Sequence, residues 1–423
     1  MTEDTDGPFS LWLVNQYALR LDQPGITRHA TLAKYMAPLG IRTTIHASPT
    51  HYWNVDSDDE EKDDSGTLFR YTKTSAVESN GVRRVLSMLS FSVRVMVKAM
   101  RSADPGGRPN VVIGSSPHPF GALAAWMISQ RYRVPFVLEV RDLWPASLVE
   151  LMGIGSRHPL IVTLQAVEKF LYRHADLVVT LLPGSERHVE QVAGRPVPWL
   201  WIPNGIDLSR VPPVVDREPG EHFIVKYAGA HGLPNALDTV LDAAALVADD
   251  EGQPFKFILV GDGKEKAALV ARTRAEGLRN VTFRDPVSKS QLLRELPDAD
   301  VLVITFRRTK LYKDGISPNK IFDYFAAGRP IVIAVDTPVN PVEASGSGRT
   351  TPPEDPAALA AALRELRALP LSDRNALGRA GRAYAERHHD HAQSARRLAT
   401  ALRALAAGQD PVVAAVDKDP TVR

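Results

Sequence analysis

The chain has no cysteine among its 423 residues. That excludes a disulfide framework, thiolate metal sites and a cysteine nucleophile, and it suits a reducing compartment. A surplus of one charge is also missing. The 51 basic and 49 acidic residues leave a net charge of +2, which argues against a general nucleic-acid binder. Long hydrophobic runs are absent as well. The apolar stretches last five to eight residues, well short of the roughly 18 expected of a membrane span. The first ten residues, MTEDTDGPFS, are acidic and polar, unlike the basic start and apolar middle of a signal peptide. These absences lead to the expectation of a soluble, cytoplasmic protein that at most rests on the inner face of a membrane. With 44% apolar residues, the length suits two or three domains.

Short apolar runs alternate with longer amphipathic ones. Residues 11–16, 41–48, 111–116, 136–141, 177–182 and 199–203 read as strands, and 28–39, 82–101, 120–131, 160–174 and 184–193 as helices. Runs such as VVIGSS and LVVTLL suit parallel strands buried on both faces. A Pro-rich, charged stretch at 207–221 reads as a linker. A second series follows, with strands at 223–228, 255–260, 281–284, 301–306 and 331–335. Its helices are expected at 236–248, 264–276, 290–296, 319–327, 356–366 and 373–406. The alternation predicts an α/β fold of doubly wound parallel sheets. Residues 56–64, DSDDEEKDD, read as a solvated acidic loop. Residues 408–423 read as a disordered tail.

Several segments combine residue types suited to chemistry at strand ends. Gly229 closes one strand and precedes Ala230-His231-Gly232. Gly261-Asp262-Gly263 closes another. Glycine there lets the backbone turn and approach a ligand, with helix N–H groups aimed at an anion such as a diphosphate. Gly after a buried strand also has a purely structural use. The stretch 313–330 places Ser317 and Pro318 at a helix start and Lys320 in its first turn, where a cation is unfavourable unless an anion is present. Asp323 lies one turn on, and Gly328 and Pro330 stop the helix. A capped helix with a surface Lys–Asp pair fits the same residues. His118 stands between two prolines after strand 111–116, as a site histidine or a helix-start residue. Arg141 and Asp142 follow strand 136–141 as a site pair or a buried salt bridge. Gly25, Arg28 and His29 open the first helix, near a ligand or within an ordinary turn. Asp298-Ala299-Asp300 reads as helix termination rather than a metal–diphosphate motif. Gly229-Ala230-His231-Gly232 is not a dinucleotide fingerprint.

Taken together, Pro203-Asn204-Gly205-Ile206-Asp207, Leu259-Val260-Gly261-Asp262-Gly263, Asn280-Val281-Thr282-Phe283 and Pro318–Pro330 resemble the retaining GT-B glycosyltransferases of family 4, group 1. Arg141-Asp142-Leu143-Trp144-Pro145, Asn80-Gly81-Val82 and GAHGLPNALD are similar to the branch of bacterial N-acetyl-fucosamine transferases. The resemblance implies a GT-B fold, two Rossmann-like domains with a cleft between them. An acceptor-side domain would occupy 1–206 and a nucleotide-sugar domain 222–390, with a helix at 391–407 crossing back to the first. It further implies transfer with retention, no metal and no cofactor beyond a nucleotide-sugar co-substrate, expected to be UDP-linked. Gly229, His231, Gly261, Gly263, Lys266, Ser317, Pro318, Asn319, Lys320 and Asp323 would bind the donor. His118, Asp142 and Lys320 would be catalytic, and Gly25, Arg28 and Arg141 would lie on the acceptor side. The chain departs from the family where Gly315 occupies the position of the first of two glutamates, with Asp314 beside it. No basic pair follows Gly229.

The expected function is a glycosyltransferase moving an N-acetylamino sugar to a glycan, lipid-linked or natural-product acceptor. A UDP-N-acetylglucosamine 2-epimerase-like enzyme and a non-catalytic sugar-nucleotide-binding subunit are the alternatives. No nucleic-acid partner is expected. Residues 81–100 are apolar and basic, so this helix either contacts an anionic membrane or is a packed Rossmann helix with solvated cations.

Overall fold

A computed structural model describes residues 8–23, 25, 27–51, 53–54, 60–74, 82–101 and 107–416. The chain forms two compact units, one of Met1–Pro203 with His391–Arg423, the other of Asn204–Asp390. The short-run and long-run alternation of the sequence becomes an α/β sheet in each.

The first unit holds an eight-stranded sheet. Its strands lie in the order Trp199–Trp201, Leu177–Thr180, Phe136–Val140, Val111–Ser115, Phe9–Val14, Ile41–Ala47, Leu68–Tyr71 and Glu60–Lys62. All neighbours are parallel except the last pair. Alternate side chains of one strand serve two cores. Leu11 and Leu13 pack with Ile45, Ile113, Leu398 and Leu402. Trp12 and Val14 pack with Phe91, Val95, Ile128 and Leu138. This period-2 division is why the inner strands read as unbroken apolar runs.

The second unit holds six parallel strands in the order Val281–Arg284, Phe255–Val260, Phe223–Ala228, Val301–Thr305, Ile331–Ala334 and Gly348–Thr351. The chain winds outward from Phe223–Ala228 in one direction and from Val301–Thr305 in the other. The carboxyl ends of these two strands are therefore the topological switch point, where open α/β sheets bind ligands.

Four expectations change. The tail does not begin at Gly408, because Pro411–Val416 is a helix and Ala415 joins the core. Of the acidic loop, 60–62 is an edge strand. Asp63 is buried and its Oδ1 accepts from the Ser65 and Thr67 amides at 3.0 and 3.1 Å; 56–59 lie outside the described residues. The stretch 207–221 is not a free linker. Arg217 N–H donates to Asn375 Oδ1 at 3.1 Å, Asp216 pairs with Arg379 at 2.6 Å, and Val215 O accepts from Arg329 at 2.9 Å. The long helix expected over 373–406 is two helices, Leu371–His388 and His391–Ala406. Ile206 N–H donates to His389 O at 2.9 Å at the break, and a Cβ on Gly205 would lie 2.1 Å from that oxygen. The Asn-Gly-Ile segment thus clamps the break, and only glycine fits there.

Candidate donor and acceptor-side sites

In the second unit, helix Asn319–Ala327 begins beside the switch point. Pro318 is its N-cap and offers no side-chain acceptor. Among the described residues the N–H groups of Ser317, Asn319 and Lys320 make no hydrogen bond. This leaves the positive end of the helix open to an anion. Asn204 sets the approach to it: its Nδ2 donates to Ser317 O at 2.9 Å and its N–H to Ser317 Oγ at 3.4 Å.

Lys320 adds an amine to that end. Its Nζ donates to Tyr227 Oη at 2.8 Å and to Asn235 Oδ1 at 2.6 Å, and lies 4.5 Å from the Tyr227 ring centroid. Both partners are themselves held, since Tyr227 Oη and Asn235 Nδ2 donate to Ala230 O at 2.8 and 2.9 Å. No carboxylate pairs with Lys320 among the described residues. Burial pushes its pKa down to about 7, the expected response of an ammonium removed from water with neutral partners only.

Three glycines let the backbones close around this ammonium. A Cβ on Gly229 would sit 3.1 Å from Lys320 Cε. Gly261 has φ +145°, and a Cβ there would fall 1.9 Å from Gly229 O. A Cβ on Gly263 would fall 2.3 Å from His231 O. His231 is wholly buried between these loops, 5.8 Å from the Phe283 ring, and neither ring nitrogen has a hydrogen-bond partner among the described residues. Burial, then the nearby Lys266 charge, lowers its pKa to about 4. The ring is therefore neutral at pH 7, with one N–H to donate.

Two expected donor residues are already engaged. Lys266 pairs with Asp285 at 2.7 Å, so it is not a free cation. Asp323 is buried and forms an ion pair with Lys289 through Oδ1. Its expected surface partner in the same helix, Lys320, is not its partner. Burial raises the Asp323 carboxyl and Lys289 opposes that rise. Asp300 is structural: its Oδ2 accepts from Ile224 N–H at 2.8 Å.

In the first unit, Arg28 is not open to an acceptor. It is 2% exposed. Its Nε donates to Glu139 Oε1 at 3.0 Å and its Nη2 to Ile202 O at 2.7 Å. His29 Nε2 meets Glu139 Oε2 at 2.6 Å, and its Nδ1 lies 3.1 Å from Asn15 Nδ2. The amide can only donate to Nδ1, so the His29 proton sits on Nε2 and points at the carboxylate. Burial raises the Glu139 carboxyl, but its contacts with His29 and Arg28 outweigh that and hold it well below the usual carboxylate range.

His118 is 1% exposed and caps helix Pro119–Tyr132, its Nδ1 accepting from Gly121 N–H at 3.2 Å. That bond assigns the proton to Nε2, which has no partner among the described residues. Burial, with Arg84 adding to it, lowers its pKa to about 3. His118 is thus a neutral donor, not a general acid. Arg141 and Asp142 form no salt bridge; Arg141 is half-buried and Asp142 exposed. Gly25 is exposed, with φ +129°.

Tyr227, Asn235, Lys289 and Glu139 hold candidate-site side chains in place and were given no role by sequence reasoning; Asn204 was read only as part of the Pro203–Asp207 motif. Tyr227 and Glu139 lie inside strands, and their partners are 93 and 111 residues away. No local spacing signals such pairs. Asn235, in the Leu-Pro-Asn turn, was the most legible.

Comparison with known proteins identifies the family of the chain. Residues 25–205 match the model of the glycosyl transferase 4-like domain, and 222–368 that of glycosyl transferases group 1. Together these cover more than three quarters of the chain. WcaI of Escherichia coli K12, named as a colanic acid biosynthesis glycosyl transferase, is 24% identical over 384 residues, 85% of this chain and 91% of WcaI. The structure of sucrose-phosphate synthase from Thermosynechococcus elongatus superposes with a TM-score of 0.76 at 17% identity, covering 95% of this chain and all of that one. Anabaena HepE, solved with UDP and glucose, gives 0.65 at 15% identity, covering 94% and 100%. The chain is a group 1 glycosyltransferase of the GT-B fold, with two Rossmann-like domains. This sets aside the epimerase and the non-catalytic subunit.

Proposed function

We propose that this enzyme transfers an N-acetylamino sugar, with retention, from a UDP donor to a hydroxyl of a glycan or lipid-linked acceptor. The observation that carries the donor half is Lys320, an ammonium without a carboxylate partner at an open helix N-terminus beneath glycine loops. In this reading Lys320 and the N–H groups of Ser317, Asn319 and Lys320 hold the diphosphate. Asp323 Oδ2 accepts from ribose hydroxyls, and His231 donates to a phosphate oxygen. The bond from the anomeric carbon to the diphosphate oxygen breaks, the acceptor oxygen bonds to that carbon, and its proton passes to the departing diphosphate. Lys320 and the helix end stabilise the charge on the leaving oxygen, with no step requiring a metal. The WcaI likeness supports a surface-polysaccharide acceptor, and the UDP in HepE supports the base.

The test is UDP release from a panel of UDP-N-acetylamino sugars, with and without glycan acceptors, beside calorimetric binding of each donor. Acceptor-dependent release is expected. Binding of no sugar nucleotide would overturn the reading.

Two further results are expected. At pH 8 Lys320, with a pKa of about 7, is mostly neutral. The diphosphate charge raises that pKa, so UDP binding takes up close to one proton. Calorimetry in buffers of different ionisation enthalpy measures the uptake. It should vanish in Lys320→Met, and an enthalpy independent of buffer in the wild type would remove Lys320 from the phosphate. Gly261→Ala should weaken UDP binding at least about 10-fold, because the added Cβ forces the two phosphate-side loops apart. Gly155→Ala, whose Cβ meets nothing within 4 Å, is the control and should bind UDP as the wild type does.

A further inference from the structure

Helix Val82–Arg101 carries two apolar faces where a packed sheet-covering helix needs one. Phe91, Val95 and Ala99, at a spacing of four, are fully buried against the sheet. Leu86, Leu89 and Val93 recur at spacings of three and four on another side and are 58%, 39% and 56% exposed. Covering the sheet accounts for the first row and not the second. Arg83, Arg94 and Arg101 are exposed and lie 11 and 7 residues apart, close to whole numbers of turns, so they form one row. That row runs about 90° around the helix from the exposed apolar stripe. None of the three pairs with a carboxylate among the described residues. Among the described residues, the hydrogen bond they make is from Arg94 to Lys73 O at 3.0 Å. The helix contains five cations and no acidic residue.

We propose that this outer face docks on an anionic lipid bilayer, with Leu86, Leu89 and Val93 in the acyl boundary and Arg83, Arg94 and Arg101 on the headgroups. The occupant is argued from charge and shape. A helix lying in an interface needs an apolar stripe edged by cations, and anionic headgroups neutralise cations that no protein carboxylate serves. A soluble acidic protein would satisfy the arginines but gives no reason for an exposed row of aliphatic side chains beside them. Among the described residues no helix is long and apolar enough to cross a membrane, so the contact is peripheral.

Flotation with phosphatidylcholine vesicles, with and without phosphatidylglycerol, tests the proposal. The full chain should float only with the anionic vesicles and detach as salt rises. The triple variant R83A/R94A/R101A should lose about 100-fold in partition, since each arginine near the surface contributes about fivefold. L86E/V93E should also abolish flotation. Both variants should keep the wild-type melting temperature and UDP affinity, which separates a failed membrane face from a misfolded protein or a failed donor site. Absence of flotation with anionic vesicles overturns the proposal, as does flotation that neither variant weakens. Sedimentation velocity without lipid should show a monomer. A dimer dissolved by L86E/V93E would overturn it in favour of a second copy on this face.

Discussion

Lys320→Ala should lower turnover by about 10²–10³-fold, the loss typical of removing one preorganised donor to a developing oxyanion. The reason is specific to its surroundings. Lys266 is paired with Asp285 and Lys289 with Asp323, whereas Lys320 rests on the neutral oxygens of Tyr227 and Asn235. It is the cation at this helix end that is not neutralised by a carboxylate. An ammonium so placed costs solvation in the free protein and recovers it when an anion arrives. The variant should therefore fold at least as well as the wild type at neutral pH. The sign follows from linkage. With its folded pKa lowered from 10.5 to about 7, Lys320 destabilises fully below pH 7, and the penalty fades as pH rises toward the unfolded value. Steady-state kinetics with a fixed acceptor and calorimetry with UDP read the two effects. Unchanged turnover together with unchanged UDP affinity would remove Lys320 from the site.

Glu139→Gln should destabilise the first unit by about 3–5 kcal/mol, because it leaves the buried Arg28 guanidinium without its counter-charge. Glu139 is 4% exposed and Arg28 2%, so water cannot substitute for the lost partner. For a unit of this size the melting temperature should fall by about 6–20 °C. Acid should narrow the gap. Glu139 has a folded pKa below its usual 4.5, so its contribution is complete above that value and is lost as pH falls toward the folded one. Calorimetric scans of both proteins from pH 7 to the acid limit check the size and the trend. A variant that melts with the wild type at pH 7 would show that the triad is not what secures the helix start to strands Phe136–Val140 and Trp199–Trp201.

The local grammar of this chain was largely legible. Helix Asn319–Ala327 and strands Phe223–Ala228, Phe255–Val260 and Val281–Arg284 occupy the bounds that apolar period and glycine punctuation predict. Legibility failed where a residue's role depends on something distant. Arg28 at a helix start looks like a ligand-facing cation until Glu139, 111 residues on, is brought against it. The acidic run 56–64 looks wholly solvated until its later half is paired along the edge of a sheet. The apparent linker looks free until Arg217 and Asp216 meet the helix Leu371–His388.

By itself the sequence determined the absence of thiol chemistry, the two successive α/β halves, the glycine-closed strand ends and the lysine in a helix first turn. These follow from composition, periodicity and backbone sterics, which act over a few residues. The charge balance of +2 is likewise a property of the chain alone. Only the tertiary structure decided which cations are neutralised, which histidines are neutral donors, and which apolar side chains on helix Val82–Arg101 are left facing outward. Those outcomes depend on burial and on partners far away in the chain. Solvation and pairing energies are set by the folded surroundings of a group, not by its neighbours in sequence.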